Sequence, residues 1–80
     1  MDKFILAEKI IDFCSKYHVF GNTEKEMTAV MIVEQLEESW FVEQLIYTLI
    51  IKAKSIENID FMALKEILLE LERVRLDLEF

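Results

Sequence analysis

The sequence predicts an all-α fold, a compact antiparallel four-helix domain that pairs with a second copy of itself. Three observations predict it. The 80 residues include no proline and one glycine, so helix breakers are nearly absent. Apolar residues recur at three- and four-residue spacing in each long segment, the period of an amphipathic helix. Hydrophobic residues make up 54% of the chain, more than a domain this small can hide from water. The helices are expected at about 3–18, 24–38, 40–54 and 61–78, in a single domain over 1–80.

The first helix is read from Phe4, Ala7, Ile10, Ile11, Cys14 and Tyr17, which share one face, with Glu8, Lys9, Asp12 and Lys16 largely opposite. It is expected to stop near Val19–Asn22, because Gly21 can take the left-handed conformation that ends helices. Thr23-Glu24-Lys25-Glu26 reads as a capping box that starts the second helix. Met27, Val30, Met31, Val33 and Leu36 supply its apolar contacts.

A break is expected near Glu38–Ser39, with Ser39 as the N-cap. One helix over residues 24–54 would be about 46 Å long, too long for a domain of this size. It would also place Glu34 and Glu38 within an apolar stripe, where unpaired carboxylates are costly. The third helix is apolar nearly all round. Val42, Ile46, Leu49, Ile50 and Ala53 make its expected core face, and Trp40, Tyr47 and Ile51 make a second stripe, which predicts a central position. Asp60 is the expected N-cap of the fourth helix, with Ile59 packing on Leu64 as a staple. Phe61, Leu64, Ile67, Leu68, Leu71, Val74 and Leu78 form its core stripe. Met62, Leu69 and Leu76 form another at seven-residue spacing, the repeat that helix–helix seams use.

Sixteen acids against nine bases give a net charge of −7. A phosphate backbone would be repelled, so direct binding of nucleic acid is not expected. A helix-turn-helix over the first two helices is rejected for the same reason, since its second helix is acidic. The acids concentrate in residues 24–47, where Glu24, Glu26, Glu34, Glu37, Glu38 and Glu43 face Lys25 alone. Glu34, Glu37 and Glu38 are a candidate face for a basic partner. They are also a candidate for a hard cation, though a solvated acidic surface is the plainer reading.

Chemistry has little to work with. Cys14 and His18 stand four residues apart, close enough to approach each other on a helix, but no orienting acid or oxyanion donor accompanies them. No glutamate has a histidine three residues later, the pairing that di-metal helical bundles use, and one glycine excludes a phosphate loop. No enzyme, cofactor or metal is expected. A single cysteine suits a reducing compartment, so the cytoplasm is the expected location. No segment approaches the about 20 apolar residues of a membrane span, and Asp2 and Glu8 interrupt any secretory leader.

The expected function is that of a small acidic regulatory or adaptor protein. It acts by protein–protein contact through apolar helix stripes at Met62, Leu69, Leu76, Trp40, Tyr47 and Ile51, and it forms a homodimer. One alternative is an inhibitor that mimics nucleic acid with the glutamates of its second helix. Another is a structural subunit of a larger assembly.

Overall fold

The computed structural model describes residues 1–19 and 28–79. These carry four helices, α1 (Lys3–Tyr17), α2 (Ala29–Gln35), α3 (Ser39–Ala53) and α4 (Phe61–Glu79), with no strand among the described residues. Each start reflects how the first amides of a helix find acceptors. The Asp2 carboxylate opens α1 by accepting from the amides of Phe4 and Ile5 at 2.7 and 3.3 Å. At the other end His18 is left-handed (φ 54°), and its amide donates to the Cys14 carbonyl. Gly21, the expected terminator, lies outside the described residues. A non-glycine residue takes the strained conformation instead, at a cost of roughly 1–2 kcal/mol.

The second helix differs from the expected span at both ends. Thr28 is extended (φ −120°, ψ 157°), so no helix runs through it, and its hydroxyl accepts from the Met31 amide at 3.2 Å. The Thr23 capping box lies outside the described residues. Thr28 makes only half of such a box, because its third helical residue is Met31, which has no carboxylate to reach back. Downstream, Leu36 and Glu37 form a turn and Glu38 is extended (φ −103°, ψ 116°).

The expected break between the second and third helices is therefore present, and a longest dimension of 36 Å has no room for a continuous helix. The cap is displaced by one residue. Glu38, not Ser39, is the N-cap, and its carbonyl accepts from Phe41 and Val42, while no side chain caps this end. Asp60 caps α4 as expected, its Oδ1 accepting from the Ala63 amide at 3.0 Å. The Asp60 amide donates in turn to the Tyr17 hydroxyl at 2.6 Å, which ties the end of α1 to the start of α4.

The core joins Leu6, Ala7, Ile10, Phe13 and Cys14 of α1 to Ile32 and Leu36, then Val42, Leu45 and Leu49 of α3, then Leu64, Ile67, Leu71 and Val74 of α4. No polar side chain is buried among the described residues, so the interior is held by apolar packing. Five residues expected to make core contacts are exposed instead: Phe4, Val30, Met31, Ile50 and Phe61. Leu6, Phe13, Val19, Ile32 and Leu45 are buried although they were not expected to be. Where consecutive residues are all apolar, packing chooses the buried one and periodicity does not.

The central helix is also not the expected one. α1 packs on α2 and α4, and α3 packs on α4, so α1 and α4 each have two substantial neighbours while α3 has one. At 19 residues α4 is also the longest helix. The Cα radius of gyration is 11.8 Å, against about 11.6 Å expected for a folded chain of this length.

Candidate interaction surface

Successive helical residues are about 100° apart, so Trp40, Tyr47 and Ile51 fall within a narrow arc of α3. Val42, Leu45 and Leu49 occupy the opposite arc and are buried. On α4, Met62, Leu69 and Leu76 likewise lie across the helix from Leu64, Ile67, Leu71 and Val74. All six residues of the two stripes are exposed, from 42% for Leu76 to 73% for Met62. A helix packed on a core still has an outward side, whether it has one neighbouring helix, as α3 has, or two, as α4 has. On α3 and α4 that side is apolar.

Two depressions connect with these stripes. Tyr47, Ile46 and Ile50 of α3 line a shallow groove with Glu72 and Arg75 of α4, and Glu43 closes one edge. Phe61, Leu64, Lys65, Leu68 and Leu69 line a nearly wholly apolar depression on the first half of α4. Trp40 meets Phe41 edge to face, with ring centroids 5.9 Å apart, which leaves most of the indole outward.

Two of the residues lining the shallow groove belong to an ion-pair network. Arg75 donates to both carboxylate oxygens of Glu72, one at 3.1 Å, and to Glu79 at 2.8 Å. The hydrogen bond from Arg75 holds the Glu72 carboxyl below its ordinary value, against a smaller opposing effect of desolvation. The same bond raises the Arg75 guanidinium, with Glu79 and Glu43 adding in the same direction. The sequence reading missed this network, although the spacings of Glu72, Arg75 and Glu79 are those at which charges meet on a helix.

The three candidate acidic residues do not share one helix face. Glu34 stands in the last turn of α2, Glu37 in the following turn, and Glu38 at the cap of α3. All are exposed, and Glu37 is paired with Lys3 at 2.8 Å. Cys14 is buried within α1, and His18 is exposed at its end. Among the described residues no three His, Cys, Asp or Glu side chains gather as a metal site would require, and no helix is long and apolar enough to cross a membrane.

No protein-family model matches the chain, and no curated protein or solved structure is similar enough to count as a match. The class is the one the helices define: an all-α bundle whose two C-terminal helices keep apolar outer faces.

Proposed function

We propose that this chain is a small regulatory or adaptor protein with no chemistry of its own, acting by protein–protein contact through the outer faces of α3 and α4. The observation that carries the reading is the joint exposure of Trp40, Tyr47, Ile51, Met62, Leu69 and Leu76. Scattered exposed apolar residues are ordinary on any surface. Two stripes at helical spacing on neighbouring helices are the pattern of an interface. A homodimer is the simplest occupant of such a face. We also infer an antiparallel arrangement of α1 with α4. The contact of Tyr17 with Asp60 joins the end of one helix to the start of the other, and Lys9 pairs with Glu66 further along. The single thiol fits residence in the reducing cytoplasm.

Mimicry of nucleic acid is less well supported. A row of phosphates needs evenly spaced carboxylates, and Glu34, Glu37 and Glu38 stand on a helix, a turn and a cap. The test is capture of binding partners, together with solution mass, for wild type, Leu69→Asp, Leu76→Asp and the combined Glu34→Gln, Glu37→Gln, Glu38→Gln variant. Loss of binding or of self-association with the aspartates, and little change with the glutamines, supports the contact reading. Loss with the glutamines alone overturns it in favour of mimicry.

A further inference from the structure

We propose that the outer face of α3 is the seam for a second copy of this chain, lying antiparallel across a two-fold axis at Tyr47. The inference rests on the contact reading above and adds its occupant, orientation and register. The seam is formed by Trp40, Tyr47 and Lys54, seven residues apart, with Glu43 and Ile51 between them. All five are exposed.

What selects a second copy is the distribution of charge along this face. Glu43 stands one turn from Trp40 at one end of this face, and Lys54 stands one turn from Ile51 at the other. Neither Glu43 nor Lys54 makes an ion pair within the chain among the described residues. A face acidic at one end and basic at the other repels a parallel copy of itself and attracts an antiparallel one. A two-fold axis at Tyr47 sets Trp40 of one copy opposite Lys54 of the other, where the ammonium can lie on the indole face. It also brings Glu43 within one helical turn of the second copy's Lys54. Each contact then occurs twice, which is the self-complementarity that a closed two-fold interface needs.

The stripe on α4 lacks this property. Its charges alternate, and several are already engaged within the chain, Glu66 with Lys9 and Arg73 with Glu70. A two-fold axis at Leu69 would set Lys65 against the second copy's Arg73, two like charges. The α3 face therefore fits a second copy better than the α4 face does.

Cross-linking at the axis tests this. A cysteine on a two-fold axis meets its own copy, so Tyr47→Cys forms a disulfide-linked dimer on oxidation with copper–phenanthroline, while Leu69→Cys does not. The native Cys14 is buried and stays out of the reaction. In equilibrium sedimentation, Glu43→Lys or Lys54→Glu alone weakens the dimer roughly tenfold, because each change acts twice across the axis. The two changes together recover the part lost to like-charge repulsion but not the contact of the Lys54 ammonium with Trp40. A dimer that cross-links through Leu69→Cys and not through Tyr47→Cys overturns the α3 seam and leaves the contact reading intact. A monomer at every accessible concentration overturns the second copy as occupant. The contact reading is then judged separately, by the response of partner capture to Leu69→Asp and Leu76→Asp.

Discussion

Helices α1 and α3 have the same length, 15 residues each, and both bury one side in the same core. Their other sides differ. α1 turns Glu8, Asp12, Ser15 and Lys16 outward, a largely polar face on which Phe4 and Ile5 of the first turn are the exposed apolar residues. α3 turns out Trp40, Tyr47 and Ile51. The difference extends inward, since α1 buries five residues and α3 buries three. α1 is thus satisfied by its own chain, with α2 on one flank and α4 on the other. α3 has one substantial neighbour and apolar surface left over. Equal length and similar apolar content do not make two helices equally finished; what matters is how much of a helix's apolar surface its neighbours cover, and even α4, with two neighbours, leaves Met62, Leu69 and Leu76 exposed.

The largest effects come from the side the two helices share. Ile10→Ala on α1 and Leu49→Ala on α3 each remove a side chain that is only 1% exposed. Each should cost about 2–5 kcal/mol, read as a shift in the urea midpoint. A much smaller loss at Leu49 would mean that α3 is docked more loosely than its burial implies.

The outer sides should separate the two helices. If α3 is the seam proposed above, Tyr47→Asp converts the dimer to monomer while changing the monomer's stability by about 0.5 kcal/mol or less. Ser15→Asp at the corresponding side of α1 should change neither. Light scattering with circular dichroism reads both, and a mass change with Ser15→Asp but not Tyr47→Asp would invert the comparison.

Smaller differences lie at the helix starts. Thr28→Ala and Asp60→Ala each remove a side-chain acceptor and should cost about 1 kcal/mol. Ser39→Ala should cost less, because Ser39 already lies inside α3. Thermal denaturation of the three variants ranks them.

The smallest effect is electrostatic. The Glu72 carboxyl is held below its ordinary value in the folded chain. Its pairing with Arg75 therefore favours folding above the ordinary carboxylate pKa of about 4.3 and is lost as the pH falls through that value toward the folded one. Wild type and Glu72→Gln should differ slightly at neutral pH and converge on acidification. A gap that widens with acid would assign the pair the wrong sign.

Much of the helical order was legible in the sequence. The break before α3 and the Asp60 cap follow from local chemistry, since a helix either fits or does not, and a carboxylate either reaches an amide or does not. The choice of buried face was less legible. Phe4-Ile5-Leu6-Ala7 is apolar throughout, and α3 is apolar on nearly every side, so the period carries no contrast between Leu45 and Ile50. Which residue turns inward depends on the helix that arrives opposite, and one sequence does not display that. Thr28 is not recognisable as a cap in the sequence, because no carboxylate three residues on completes the box that draws attention to Thr23. The stripes of the candidate surface were visible as excess apolar spacing. The Arg75 network was visible in principle and was passed over.

The burial of Cys14 gives the molecule an internal clock. A thiol with no solvent access reacts with an alkylating reagent only during the moments when α1 separates from its neighbours. The chain has one cysteine, so every labelled molecule records one opening at one place. Followed against reagent concentration, the labelling rate passes from reporting how often α1 is open to reporting how fast it opens. If a second copy sits on α3, raising the protein concentration should slow that clock whenever α1 is released only by unfolding of the whole bundle. If α1 detaches alone, the rate should not change.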